Sequence, residues 1–276
     1  MESIIHDIFA YDFLRNALIA CILSGITCGI VGSYVVARRM VFLCGGITHA
    51  SFGGLGIALY AGANPVIGAL SFAALSSLGI EFASRRGRMR EDSATGIIWS
   101  VGMATGALFM SLRPGYATDL TSYLFGNILL VDSNDIIYLS WLTLFIVVGA
   151  IVWLRKLMYM IFDEEYARSQ GVWAVASSYV MAIVIAITIV LSIKVMGIIL
   201  LLALLTMPAV ISNTFTKDYR YIAFWSAVIG VVATIAGFVF SYIYDLPTGS
   251  CIIFILTGAL ICVKVLTLYR KTIVNR

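Results

Sequence analysis

Long apolar runs alternate with short polar connections along almost the whole chain. Runs of about 17–25 apolar residues have the length of membrane-spanning helices. Nine such segments are expected, at about 13–37, 41–61, 65–84, 94–112, 135–154, 174–193, 195–213, 221–243 and 249–269. The second and third are parted only by Gly62-Ala63-Asn64-Pro65, a tight turn with proline at a helix start. The sixth and seventh run almost together through Ile193-Lys194-Val195, so the count ranges from eight to ten. The expected fold is an all-α, polytopic integral membrane bundle. Pro208 in the seventh segment predicts a kink or a break there.

Charge placement supports nine crossings. Arg38 and Arg39 follow the first segment, Arg85, Arg86, Arg88 and Arg90 the third, and Arg155, Lys156 and Arg168 the fifth. Lys217 and Arg220 follow the seventh, and Arg270, Lys271 and Arg276 the ninth. The other connections and the N-terminus hold only Arg15, Arg113 and Lys194, beside six aspartates. The positive-inside rule then puts the N-terminus outside and the C-terminus in the cytoplasm. Met1 to Asp12 has no basic leader or small-residue cleavage pattern, so no signal peptide is expected.

Composition agrees. Of 276 residues, 61% are hydrophobic and 12% charged, against about 25% charged in soluble domains. Mean hydropathy is +1.02. The net charge of +4 comes from basic residues in short loops and is no nucleic-acid signal. The five cysteines lie in apolar runs, without a CxxC pair, and read as buried small side chains.

Small residues recur at four-residue spacing. Gly25 with Gly29 and Gly102 with Gly106 are GxxxG pairs, and Gly53, Gly54 and Gly56 crowd the second segment. Such positions let helices approach closely in lipid. The connection from Leu112 to Asp135 suggests a short interfacial or re-entrant helix, with Asp119 or Thr121 as N-cap.

Candidate chemistry is sparse. The chain has two histidines, His6 in the polar lead and His49 inside the second segment. His49 is nine residues past Met40, ~13–14 Å along a helix, near the middle of a ~30 Å hydrocarbon core. An ionisable residue at that depth is a functional candidate; the other reading is a packed, hydrogen-bonded histidine. No GxxxxGK[ST] occurs, so ATP, if used, is bound by another subunit. No catalytic constellation is present, and an enzyme is not expected. The segment 163–172, Asp-Glu-Glu-Tyr-Ala-Arg-Ser-Gln-Gly-Val, has acids at its start and glycine near its end. It predicts a short helix on the cytoplasmic face, either solvated or a docking surface.

Five blocks carry a family resemblance. Arg38-Arg-Met-Val-Phe-Leu with Thr48-His-Ala resembles an RRMxFLGDALSHA block. The run from Asp119 to Leu129 resembles DLxSYLFGxIL, and 163–172 resembles DPEFARALGV. Val195 to Ala209 resembles VVGxLLLxALLxxPAA, and Asp245-Leu-Pro-Thr-Gly resembles DLPxG. In order and over about residues 35–262, these are similar to the permeases of bacterial ABC importers for divalent metal ions. The resemblance implies a single permease domain over 1–276 of the type II importer kind, in the cytoplasmic membrane. It implies a second permease copy in a homodimer, two cytoplasmic ABC ATPase subunits that bind the ATP, and an extracytoplasmic metal-binding protein. The divalent metal ion is the substrate, zinc first and manganese or iron next, and no cofactor is expected in this chain. Residues about 162–172 would be the coupling helix, with Asp163, Glu164, Glu165, Arg168 and Gly171 facing the ATPase.

One departure bears on the metal. The family block has aspartate one turn before the histidine, and here that position is Gly45. His49 remains as a metal contact. Losing the carboxylate removes a hard oxygen donor that suits manganese. Cys44, about 140° round the helix from His49, and Thr48 are further candidate donors, with Ser51 behind them. Two other functions fit the same pattern: an ABC permease for a metal chelate or cobalamin, and an ATP-independent secondary carrier.

Overall fold

The computed structural model describes residues 10–112, 128 and 131–274, with side chains through 269. The expected helix around Asp119 and Thr121, and His6, lie outside the described residues. Among those described, the regular elements are helices and no strand occurs. They are α1 (Asp12–Ala37), α2 (Val41–Tyr60), α3 (Pro65–Arg85), α4 (Glu91–Leu112), α5 (Ser133–Phe162), α6 (Glu164–Ser169), α7 (Ala174–Phe215), α8 (Tyr219–Tyr244) and α9 (Thr248–Val274).

Eight of these are long and apolar enough to cross a membrane. One of them, α7, has 42 residues, about 63 Å of helix against a ~30 Å hydrocarbon core. Gly197 interrupts it with φ 74° and ψ 168°, a region essentially closed to residues with a Cβ. The pieces 174–196 and 198–215 are each long enough for one span, so the eight helices have length for the nine crossings expected from the sequence. The non-helical residue is Gly197, three residues past Lys194, where the sequence expects one segment to give way to the next; Pro208 lies inside the second piece.

Helix ends follow local chemistry. The Asn64 side chain caps α3 by accepting from Val66 N at 2.9 Å, and Pro65 opens the helix. At the end of α8, Asp245 adopts the left-handed conformation at φ 52°. Ser241 Oγ then donates to Leu246 O at 2.5 Å, which fastens the Asp245-Leu-Pro-Thr-Gly turn before α9. The fifth helix is longer than the expected 135–154. Arg155 and Lys156 mark a change of solvent and not a helix end, because Leu-Arg-Lys-Leu-Met is a run of strong helix formers.

The chain packs as two compact units. One holds α1, α5 up to Leu154, α7 from Val195, α8 and α9. There α1 lies backbone to backbone on α8: a Cβ at Gly29 would sit 2.5 Å from Ala227 Cα, and one at Gly25 2.7 Å from Val231 N. Thr27 and Thr143 hydroxyls meet at 2.8 Å, joining α1 to α5. Thr234 donates to Cys21 O at 3.0 Å. Without a hydrophobic drive between helices in lipid, close approach and such hydrogen bonds supply the cohesion.

The other unit holds α2, α3, α4, the end of α5, α6 and the first part of α7. Here α2 is wedged between α3 and α4. A Cβ at Gly54 would lie 2.0 Å from Gly68 O on α3, and one at Gly53 would meet Phe72 and Gly102 O. On α4, Gly102 faces Ala50 and Gly106 faces Phe52 at similarly short range. The small residues seen in the sequence are thus contact points between helices.

Candidate functional site

The wedge gives α2 a closed side and an open side. Cys44 and Thr48 are fully buried, and the Thr48 hydroxyl donates to Cys44 O at 2.6 Å. Ser51 is buried as well and donates to Thr48 O at 2.7 Å. The three are therefore engaged inside the helix packing. Gly46 is held by Thr95, whose Cγ2 a Cβ would strike at 2.2 Å.

Gly45 and His49 occupy the other side, one turn apart, and both are half-buried. A Cβ at Gly45 would meet nothing within 4 Å. The His49 ring lies flat on Trp99 of α4, with centroids 4.5 Å apart and planes 2° apart. Phe42 leans on the same indole at 6.1 Å. His49 Nδ1 is buried and has no hydrogen-bond partner among the described residues. The packed, hydrogen-bonded histidine that the sequence left open is thus not seen for this nitrogen. A neutral imidazole nitrogen without a partner is a donor suited to first-row metals. Among the described residues, no group of three or more His, Cys, Asp and Glu comes together.

Trp99, the residue stacked on His49, is one that pattern reading passes over. A signal was available: Trp99 is eight residues into α4, ~12 Å along it. Tryptophan in membrane helices favours the interfaces, so an indole at that depth calls for a partner.

The second constellation surrounds α6. Asp163 caps it, with Oδ1 accepting from Glu165 N at 2.8 Å and Tyr166 N at 3.1 Å. The far end closes with Gly171 at φ 76°, Gly171 N on Arg168 O and Val172 N on Ala167 O, both 3.0 Å. That is a Schellman closure, and its apolar contact joins Ala167, Val172 and Met160 beneath the helix. Both ends are as the acidic start and the glycine predict.

Glu164 is turned inward, while Glu165 and Arg168 are exposed. Arg85, at the end of α3, donates from Nη1 to Glu164 Oε1 at 2.8 Å and from Nη2 to Oε2 at 3.2 Å. Its Nη2 also reaches Ser178 Oγ on α7 at 2.6 Å, and its Nε pairs with Glu81. Arg168 adds a bond to Glu164 Oε1 at 2.9 Å. The Arg85 guanidinium foremost, and Arg168 after it, hold the Glu164 carboxyl down to about 2. Arg38 donates to Met160 O at 2.8 Å, tying the same corner to the start of α2. The sequence marks Arg85 only as a loop charge; its partner is 79 positions away.

Residues 10–267 match the ABC 3 transport family, and the chain belongs to that family. It is similar to a Chlamydia muridarum protein named a probable metal transport system membrane protein, 36% identical over 94% of this chain and 89% of the other. A manganese transport system membrane protein, MntC, from Halalkalibacterium halodurans is 32% identical over 90% of this chain and 85% of the other. Among solved structures, PsaBC from Streptococcus pneumoniae in complex with Fab superposes with a TM-score of 0.84 at 26% identity. That likeness covers 95% of this chain and 94% of the other. The chain is thus the membrane subunit of a transporter.

Proposed function

We propose that this permease moves divalent first-row metal ions into the cell by alternating access, and that His49 touches the ion in transit. The observation that carries this reading is the unpartnered Nδ1 of His49, one helical turn from Gly45, where a Cβ would meet nothing within 4 Å. One strong donor per chain suits an ion that must be released again. A second permease copy would bring a second imidazole to the path. The donor set, imidazole without the Gly45-position carboxylate, favours zinc, while the relatives named for manganese keep that metal in view.

ATP hydrolysis belongs to separate cytoplasmic subunits in this reading, and an extracytoplasmic binding protein delivers the metal. The coupling element is α6, with exposed Glu165 and Arg168 toward the ATPase and Glu164 turned to its anchor at Arg85. The basic ends of the helices then face the cytoplasm, and the N-terminus lies outside. The test is reconstitution with the ATPase and binding protein in vesicles. ATP-dependent accumulation of one of zinc, manganese or iron is expected; equal uptake without the ATPase would make the chain a secondary carrier.

A further inference from the structure

Among the described residues, four buried side-chain polar atoms have no hydrogen-bond partner: Ser24 Oγ, His49 Nδ1, Thr95 Oγ1 and Ser192 Oγ. Buried polar groups are nearly always paired, so an orphan calls for an occupant that the chain itself does not supply. Ser24 and Ser192 lie on α1 and α7. The other two belong to one helix contact. Thr95 of α4 packs its Cγ2 methyl on Gly46 of α2. About one turn further along both helices, Trp99 lies on His49.

A threonine inside a helix ordinarily turns its hydroxyl onto the carbonyl four residues back. Elsewhere on α4 this holds: Ser100 donates to Gly96 O at 2.9 Å and Thr105 to Val101 O at 2.7 Å. On α2, Thr48 and Ser51 are likewise engaged with carbonyls of their own helix. Thr95 is fully buried and makes no such bond. A threonine that only filled the space against Gly46 would need its methyl alone.

The two orphans share a chemistry. A neutral imidazole nitrogen and a hydroxyl oxygen both offer a lone pair to a cation. Neither carries a charge, so together they hold a dication loosely, as passage requires. Thr95 also brings an oxygen from α4 where Gly45 of α2 offers none.

We infer that Thr95 is a second contact for the ion in transit, its hydroxyl supplying a neutral oxygen at the same α2–α4 contact as His49. The inference rests on the reading of His49 given above.

The test is ATP-driven zinc uptake by vesicles holding the permease and its ATPase, with zinc-loaded binding protein at saturation, so that the rate reports the permease and not capture. Thr95→Val keeps a methyl for Gly46 and removes the hydroxyl; it should lower the rate per assembled complex about fivefold, the share of one neutral polar contact. Thr95→Ser keeps the hydroxyl and should retain most of the rate. An unchanged rate in Thr95→Val beside an inactive His49→Ala would overturn this inference and leave His49 as the contact. An equal fall in Thr95→Val and Thr95→Ser would also overturn it, because the hydroxyl would then not be what matters. Normal uptake by His49→Ala would remove the site itself, and the inference with it.

Discussion

Arg85 and Glu164 form a two-point pair, Nη1 to Oε1 at 2.8 Å and Nη2 to Oε2 at 3.2 Å, that fastens α6 to the end of α3. Two parallel bonds fix orientation as well as distance, which a single ammonium cannot do. The same guanidinium reaches Glu81 and Ser178, so one side chain holds three elements. A helix of six residues is too short to persist by itself. Its position is set by this pair, by its two caps and by the small apolar contact below it.

Removing the pair should therefore loosen α6 and leave the membrane helices in place. Arg85→Ala leaves Glu164 partly buried without its main partner and should cost about 2 kcal/mol locally. Transport should fall by about tenfold or more, with normal insertion and thermal stability of the bundle. Arg85→Lys should rescue it only in part, since the fork is lost. Hydrogen exchange of α6 checks this directly: exchange unchanged in Arg85→Ala would remove Arg85 from any positioning role.

Acid should act on the same pair. The folded-state value for Glu164, about 2, lies below its ordinary 4.5. Its contribution is complete above 4.5, falls as the pH drops below that value, and is gone once the pH has passed through about 2. Protection of α6 amides should decline over that interval in the unaltered protein. In Glu164→Gln the component of the decline that follows this carboxyl should be absent. An identical pH profile in the two proteins would sever the link.

The glycines of α2 should divide sharply on substitution. Gly54→Ala forces a methyl to within 2.0 Å of Gly68 O, with only backbone to yield. Overpacking of this sort costs about 1–3 kcal/mol or more, and lower yield and melting temperature are expected. Gly45→Asp enters open space and should fold normally. It restores a carboxylate one turn from His49 and should shift the uptake preference toward manganese. Unchanged selectivity would put Gly45 outside the path.

The Trp99 ring sets the plane of the His49 imidazole. Trp99→Ala should raise the apparent KM for the metal more than it alters assembly with the ATPase, whereas Trp99→Phe should preserve most of the activity. Loss of assembly in both variants would make the indole a packing residue.

Helix positions were legible because apolar run length and basic flanks answer to bilayer thickness and to charge bias. Asn64-Pro65 and 163–171 show capping chemistry that acts within a few residues and can be read directly. The junction of the sixth and seventh segments was legible near Lys194, but its exact residue, Gly197, was not, because glycine is common inside membrane helices and only its dihedrals reveal it. The partners of Arg85 and the stack of His49 on Trp99 escaped because they join positions far apart in the chain. Gly45 was visible as a departure from the family block, but the open space beside it was not.

The most direct test of the account is uptake of zinc, manganese and iron by vesicles holding the permease, its ATPase and its binding protein, with His49→Ala beside the unaltered chain. The account predicts ATP-dependent entry of a free divalent ion that His49→Ala abolishes while the complex still assembles and hydrolyses ATP. Normal metal uptake by His49→Ala, or entry of no free metal at all, would contradict it.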